Sequence, residues 1–263
     1  MTLKAIIFDL DDTLLWDRKS VDIALQNTSS YAAEVGGVDP ERLENDVRTI
    51  APRLYASYET YDFAKKIGIG VFEAMWANFA DPGEDFARLR EIAPAYRLKV
   101  WQEALAAQQC QQAGLGKELA AMFPEQRKKC PFLFEDTVDV LKSLKEDDFE
   151  LLLLTNGSPD LQNTKLSLSP VLKEYLDDII VSGAFGIGKP DPSIFTHALE
   201  VLAVEASEVL MVGDNVKTDI LGAERSGISS VLVKRHENNA SGIHATYEIK
   251  NLSELLPLVQ RLR

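Results

Sequence analysis

Five short apolar runs, each stopping at small, polar or charged residues, constrain this chain more than any other feature. Ala5-Ile6-Ile7-Phe8 stops at Asp9, and Phe149 to Leu154 leads into Thr155-Asn156-Gly157. Asp178-Ile179-Ile180-Val181 leads into Ser182-Gly183, Val209 to Val212 into Gly213-Asp214, and Ser230 to Val233 into Lys234-Arg235. Ala5–Phe8 is continuous and the others look alike; such runs read as strands buried on both faces, as in a parallel sheet. Helical patterns lie between them, over about Thr137 to Lys145, Ser193 to Leu202 and Lys217 to Arg225. Asp191 suits an N-cap and Pro192 the first helical position, while Gly227 falls where a helix-ending glycine belongs. Strand alternating with helix predicts the α/β class: a doubly wound parallel sheet.

The stretch from Trp16 to Cys130 follows other rules. It lacks β-branched apolar runs and is rich in Ala, Glu, Leu, Gln and Arg at helical spacing, as in Val21 to Val35, Pro40 to Ile67 and Asp85 to Gln108. Asp81-Pro82-Gly83 marks a loop within it. An all-helical block, residues 16–130, is therefore expected to interrupt an α/β core formed by residues 1–15 and 131–263. Insertions after a first strand lie beside the ligand crevice of open α/β sheets, so the block reads as a lid that inspects substrate. Tyr55, Tyr58 and Tyr61, with Phe63 nearby, recur at helical spacing within it. Such a stripe packs helices more often than it stacks on a base or sugar, and packing is the expectation.

The formal net charge of −13 repels phosphate backbones, so nucleic acid is not an expected partner, and no membrane partner is expected either. A small phosphorylated substrate would need a local cation. Two cysteines, Cys110 and Cys130, provide no disulfide framework and suit a reducing compartment. His197, His236 and His244 lack zinc-ligand spacing. Met1-Thr2-Leu3-Lys4 and the short run after it do not read as a signal peptide, and Leu151 to Leu154 is far too short to span a bilayer. A cytoplasmic protein is expected.

The chemistry gathers at strand ends. Asp9 and Asp11 are two residues apart, so extended backbone puts both carboxylates on one side. Two acids that close repel each other and call for a cation or a shared proton. Asp214 ends the fourth strand and would join them if the first and fourth strands are neighbours. An oxygen-only set with few ligands suits Mg²⁺. Asp219, five residues on, reads equally as a helix N-terminal acid or as a residue behind the metal ligands. Thr155 and Asn156 offer a hydroxyl and an amide to phosphate oxygens, although Thr-Asn-Gly is also ordinary turn chemistry. Gly183 to Lys189 fits the opening of a nucleotide P-loop, but Pro190 follows where a Ser or Thr would hold magnesium. Proline donates no N–H and keeps Lys189 out of an opening helical turn. Lys189 is left as a single placed cation.

Asp9-Leu10-Asp11-Asp12-Thr13, Thr155-Asn156-Gly157, Lys189-Pro190-Asp191-Pro192 and Gly213-Asp214 with Asp219, in this order, resemble the haloacid dehalogenase-like hydrolase superfamily. The resemblance covers about residues 1–15 and 131–263. It implies a Rossmann-like core of strand order 5-4-1-2-3 with a type 1 helical cap. It implies that Asp9 is the nucleophile and that Asp11 is the general acid and base, with its backbone carbonyl on the metal. It further implies that Asp214 is a metal ligand, that Thr155 and Asn156 contact phosphate, and that Lys189 is the phosphate-binding lysine. The reaction so implied is magnesium-dependent hydrolysis of a small phosphorylated metabolite, a nucleoside monophosphate or a sugar or organic-acid phosphate, through an aspartyl-phosphate. A 2-haloacid dehalogenase, a phosphomutase or phosphonatase, and a non-catalytic binding protein are the competing readings. An acid at Asp11 favours an alkoxide leaving group over a halide, which needs no proton.

Overall fold

The computed structural model describes residues 3–235 and 242–262. His236 and the Met1-Thr2 start lie outside them. Two compact units are formed, one from residues up to Asp17 with Phe132–Gly157 and Leu166 onward, the other from Arg18–Pro131 with Ser158–Lys165.

The first unit holds a six-stranded sheet of β1 (Ala5–Phe8), β2 (Glu150–Thr155), β3 (Asp178–Val181), β4 (Val209–Gly213), β5 (Ser229–Val233) and β6 (Tyr247–Ile249), every pair parallel, in the order β3-β2-β1-β4-β5-β6. The expected order of five strands is present, and β6 extends it at the β5 edge. Alternation along the strands explains why both faces are covered. Ile6, Phe8, Leu151, Leu153, Leu210 and Val212 share one cluster with Val140 and Leu144 of α7 (Thr137–Glu146) and Leu258 of α12 (Leu255–Leu262). Ala5, Ile7, Leu152, Leu154, Val209 and Met211 face the other way, against Phe195 and Ala198 of α10 (Pro192–Leu202) and Ala223 of α11 (Leu221–Arg225). Asp191 caps α10 by accepting from Ser193 N–H at 2.9 Å, and Gly227 takes a left-handed φ of 68°.

Three details differ from the sequence reading. β3 is an edge strand, so Asp178 and Ile179 are exposed and only Ile180 and Val181 are buried. The stretch at 217–225 is not one regular helix: a π-helical turn over Val216–Ile220 precedes α11. Asp219 turns inward within it. In the helical unit the Pro40-to-Ile67 pattern is interrupted, giving α2 (Pro40–Tyr55) and α3 (Tyr61–Ile67).

The helical unit also contains α1 (Asp17–Gly36, all but its first residue), α4 (Val71–Ala74), α5 (Glu84–Ala107) and α6 (Leu115–Lys128). The tyrosine stripe packs. Tyr55 is buried, its hydroxyl donates to Ile69 O at 3.2 Å, and its ring meets Tyr61 and Tyr96 at 5.6 and 5.5 Å. Phe63 stands edge-on to Phe86. The loop after α4 is tied down by α5, where Arg90 donates to Phe79 O and Asp81 O, and Arg97 to Ala74 O and Ala77 O. Asp81, buried, accepts from Ser158 Oγ at 2.5 Å and Asp160 N–H at 2.8 Å. Lys165 pairs with Glu73 at 2.7 Å. These contacts account for Ser158–Lys165 belonging to this unit. Among the described residues no helix is long and apolar enough to cross a membrane.

Candidate active site

Asp9 continues the ladder one residue past β1, its N–H donating to Val212 O at 2.9 Å. The chain then folds back tightly. Leu14 and Leu15 N–H both donate to Leu10 O, Asp12 N–H donates to Leu15 O, and Asp12 adopts a left-handed φ of 59°. Thr13, buried in this turn, donates from Oγ1 to Asp9 Oδ2 at 3.4 Å. Asp11 is half-buried and pairs with Leu15 as an isolated bridge.

Pairing of Phe8 with Val212 sets Asp214 beside Asp9. One oxygen each from Asp9, Asp214 and Asp219 lies within 4.8 Å of the others. Asp219 is fully buried in the π-helical turn, with Oδ2 accepting from Asn215 N–H at 3.0 Å. A Cβ on Gly213 would stand 2.2 Å from that oxygen, so only glycine leaves room for the returning carboxylate. This inward side chain fits the irregular winding, a common device at functional sites. Asp219 therefore belongs to the charged centre itself and is more than an acid at the start of a helix. Gly213 was the available signal.

Lys189 faces these acids, 5% exposed. Its Nζ reaches Asp9 Oδ1 at 2.6 Å, Asp219 Oδ1 at 2.8 Å and Leu154 O at 2.7 Å, three acceptors for the three protons of an ammonium. Thr155 is buried at the end of β2, with its hydroxyl donating to Asn156 O at 3.4 Å. The Asn156 amide is turned toward the backbone of Lys189. Thus Asp9, Asp214, Asp219 and Lys189 form one cluster, Thr155 and Asn156 stand on the adjoining strand end, and the Asp11 carboxylate is outside the three-oxygen group.

One cation against three carboxylates, Asp9 and Asp219 buried and Asp214 half-buried, leaves negative charge in excess. Burial pushes the Asp9 carboxyl up to about 6, with Lys189 pulling it down and Asp219 pushing it up. Asp214 is driven to about 9 by burial and by the charges of Asp9, Asp219 and Asp12. Burial works to lower the Lys189 ammonium, yet Asp219 and Asp9 hold it above its usual range. An under-neutralised, oxygen-only donor set fits a hard divalent cation.

The sequence profile of the haloacid dehalogenase-like hydrolases matches residues 3–227. This chain belongs to that family. It is 34% identical over 237 residues to a phosphoserine phosphatase from Thermus thermophilus, covering 89% of each chain. A glyceraldehyde 3-phosphate phosphatase from Pyrococcus abyssi is 28% identical over 264 residues, covering 98% of this chain and 94% of the relative. The solved HAD-hydrolase YfnB from Bacillus subtilis, bound to magnesium, shares the fold at a TM-score of 0.68 and 20% identity, over 98% of this chain and 99% of that one. Solved 2-haloacid dehalogenases share it too.

Proposed function

We propose that this hydrolase is a Mg²⁺-dependent phosphatase that cleaves a small phosphomonoester through a phosphate carried covalently on Asp9. The observation that carries the reading is the contact of Lys189 Nζ with Asp9 Oδ1 at 2.6 Å, beside Asp214 and Asp219 within 4.8 Å. Asp9, Asp214 and the backbone carbonyl of Asp11 would hold the ion, with Asp219 behind them or touching it. Bound there, the ion would neutralise the surplus carboxylate charge and screen the phosphoryl group.

The chain's own groups supply the rest. Lys189 keeps Asp9 ionised in a buried site, ready to attack phosphorus. An Asp9 oxygen bonds to phosphorus as the ester oxygen leaves with a proton from Asp11. Asp11 then takes a proton from water, whose oxygen bonds to phosphorus and frees the Asp9 carboxylate and inorganic phosphate. Thr155 and Lys189 meet the phosphoryl oxygens. Phosphomonoesters are so inert that accelerations of up to about 10²¹-fold are needed, which no single group provides.

Phosphoserine and a triose phosphate, taken from the relatives' names, are the first substrates to test, with sugar phosphates and nucleoside monophosphates beside them. We assign reading of the leaving group to the helical insert, residues 16–130, and the chemistry to residues 1–15 and 131–263. The free thiols of Cys110 and Cys130 support a cytoplasmic setting. A panel of phosphorylated metabolites, compared by kcat/KM with and without Mg²⁺, tests the reading. Metal-independent chloride release from a 2-haloacid, with no phosphate released from any panel member, would replace it with the dehalogenase alternative.

A further inference from the structure

The family resemblance gives Asn156 to the substrate phosphate, but its side chain is engaged otherwise. Lys189 N–H donates to Asn156 Oδ1 at 2.8 Å, and Asn156 Nδ2 donates to Lys189 O at 3.0 Å. One side-chain amide thus meets both backbone polar groups of one residue, the pairing that two residues make across a β-ladder. Lys189 lies in a turn between α9 (Ser182–Phe185) and α10, outside any helix or strand, and is buried. Its peptide groups therefore need partners from elsewhere. Gly188 makes room for them. A Cβ there would stand 2.6 Å from Asn156 Oδ1, 2.9 Å from Cγ and 3.1 Å from Nδ2, and Gly188 has no positive φ to demand glycine on its own account.

We infer that Asn156 is a positioning residue, a clamp on the Lys189 backbone that Gly188 admits. Lysine has a long flexible stem, and its Nζ can meet Asp9, Asp219 and Leu154 O together only if the backbone from which it springs is held in place. A misplacement of about 1 Å at a reacting centre costs about 100-fold in rate. The kinetic consequence rests on the phosphatase reading; the clamp does not.

The test combines kinetics with amide exchange. With p-nitrophenyl phosphate and Mg²⁺, Asn156→Leu lowers kcat about 10- to 100-fold, and any rise in KM or in the inhibition constant of inorganic phosphate, which Lys189 also meets, disappears once Lys189 is removed. In a Lys189→Ala background the same substitution lowers kcat by less than about twofold, because the two residues act as one unit. A rise in KM and in the phosphate inhibition constant by one factor in both backgrounds would make Asn156 a direct phosphate contact and overturn the inference. Without substrate, exchange of the Lys189 amide proton, followed by NMR, speeds up at least about tenfold in Asn156→Leu. Unchanged exchange overturns the clamp. This arm decides alone if Lys189→Ala is too slow to assay or if the wild type hydrolyses no phosphoester, so failure of the clamp and failure of the phosphatase reading are told apart. If Asn156→Leu does not fold, Gly188→Ala keeps the amide and crowds it: faster Lys189 exchange supports the clamp, and wild-type exchange overturns it.

Discussion

Each unit buries a lysine against carboxylates, and the two are balanced differently. In the helical unit Lys165 pairs with Glu73, whose second oxygen accepts from Gly70 N–H at 2.7 Å. Asp81 in the same unit is met by a hydroxyl and a backbone N–H. In the sheet unit Lys189 faces Asp9 and Asp219, with Asp214 alongside, and the surplus shows as carboxyl groups titrating at about 6 and about 9. A matched pair holds segments together. A mismatched cluster costs folding energy and is poised for a ligand of the missing charge.

The two centres should differ most at Asp9. Asp9→Asn should lower kcat on p-nitrophenyl phosphate by at least about 10⁴-fold, as expected for a nucleophile, without lowering the melting temperature. Lys165→Met should do the reverse. It strands Glu73 in the interior, costing about 3–5 kcal/mol and lowering Tm by roughly 10 °C, while kcat stays near wild type. Lys165→Met with Glu73→Leu should regain most of the loss, since an apolar pair replaces a buried ion pair at small cost.

Next comes pH. Asp9 and Asp214 both titrate above their ordinary value of 3.8 when folded, so the native state keeps protons that the unfolded chain has lost. Stability of the metal-free protein should be greatest near pH 4 as far as these groups are concerned, and fall as pH rises through about 6 and on toward about 9. Added Mg²⁺ should raise Tm by several degrees at pH 8 and by little at pH 5, read by differential scanning fluorimetry. Asp214→Asn should raise the metal-free Tm at pH 8 and abolish the Mg²⁺ shift. Tyr55→Phe has the smallest effect: it removes one neutral hydrogen bond to Ile69 O, worth about 1 kcal/mol, and leaves kcat/KM unchanged.

Much of this was legible in the chain because β1, β4, Leu151–Leu154 of β2 and Val231–Val233 of β5 are buried on both faces and write themselves as apolar runs. β6 was not. Tyr247-Glu248-Ile249 is three residues long at a sheet edge and buries only Ile249, so no run forms. The same edge effect exposes half of β3. At the site, Asp9, Asp214 and Lys189 could be found from strand ends and charge balance. The return of Asp219 into the cluster depends on a π-helical turn and on absence of a side chain at Gly213, and no periodicity encodes either. The Asn156 amide likewise faces a backbone 33 residues away, a pairing that only the fold reveals.

The mechanism turns on a covalent phosphate at Asp9. Rapid acid quench during turnover of p-nitrophenyl phosphate with Mg²⁺, followed by peptide mass spectrometry, looks for it. A phosphate adduct on the peptide carrying Asp9, labile to hydroxylamine and absent from Asp9→Asn, is the expected result. Steady phosphate release with no adduct at any quench time, and with Asp9→Asn still active, would contradict it.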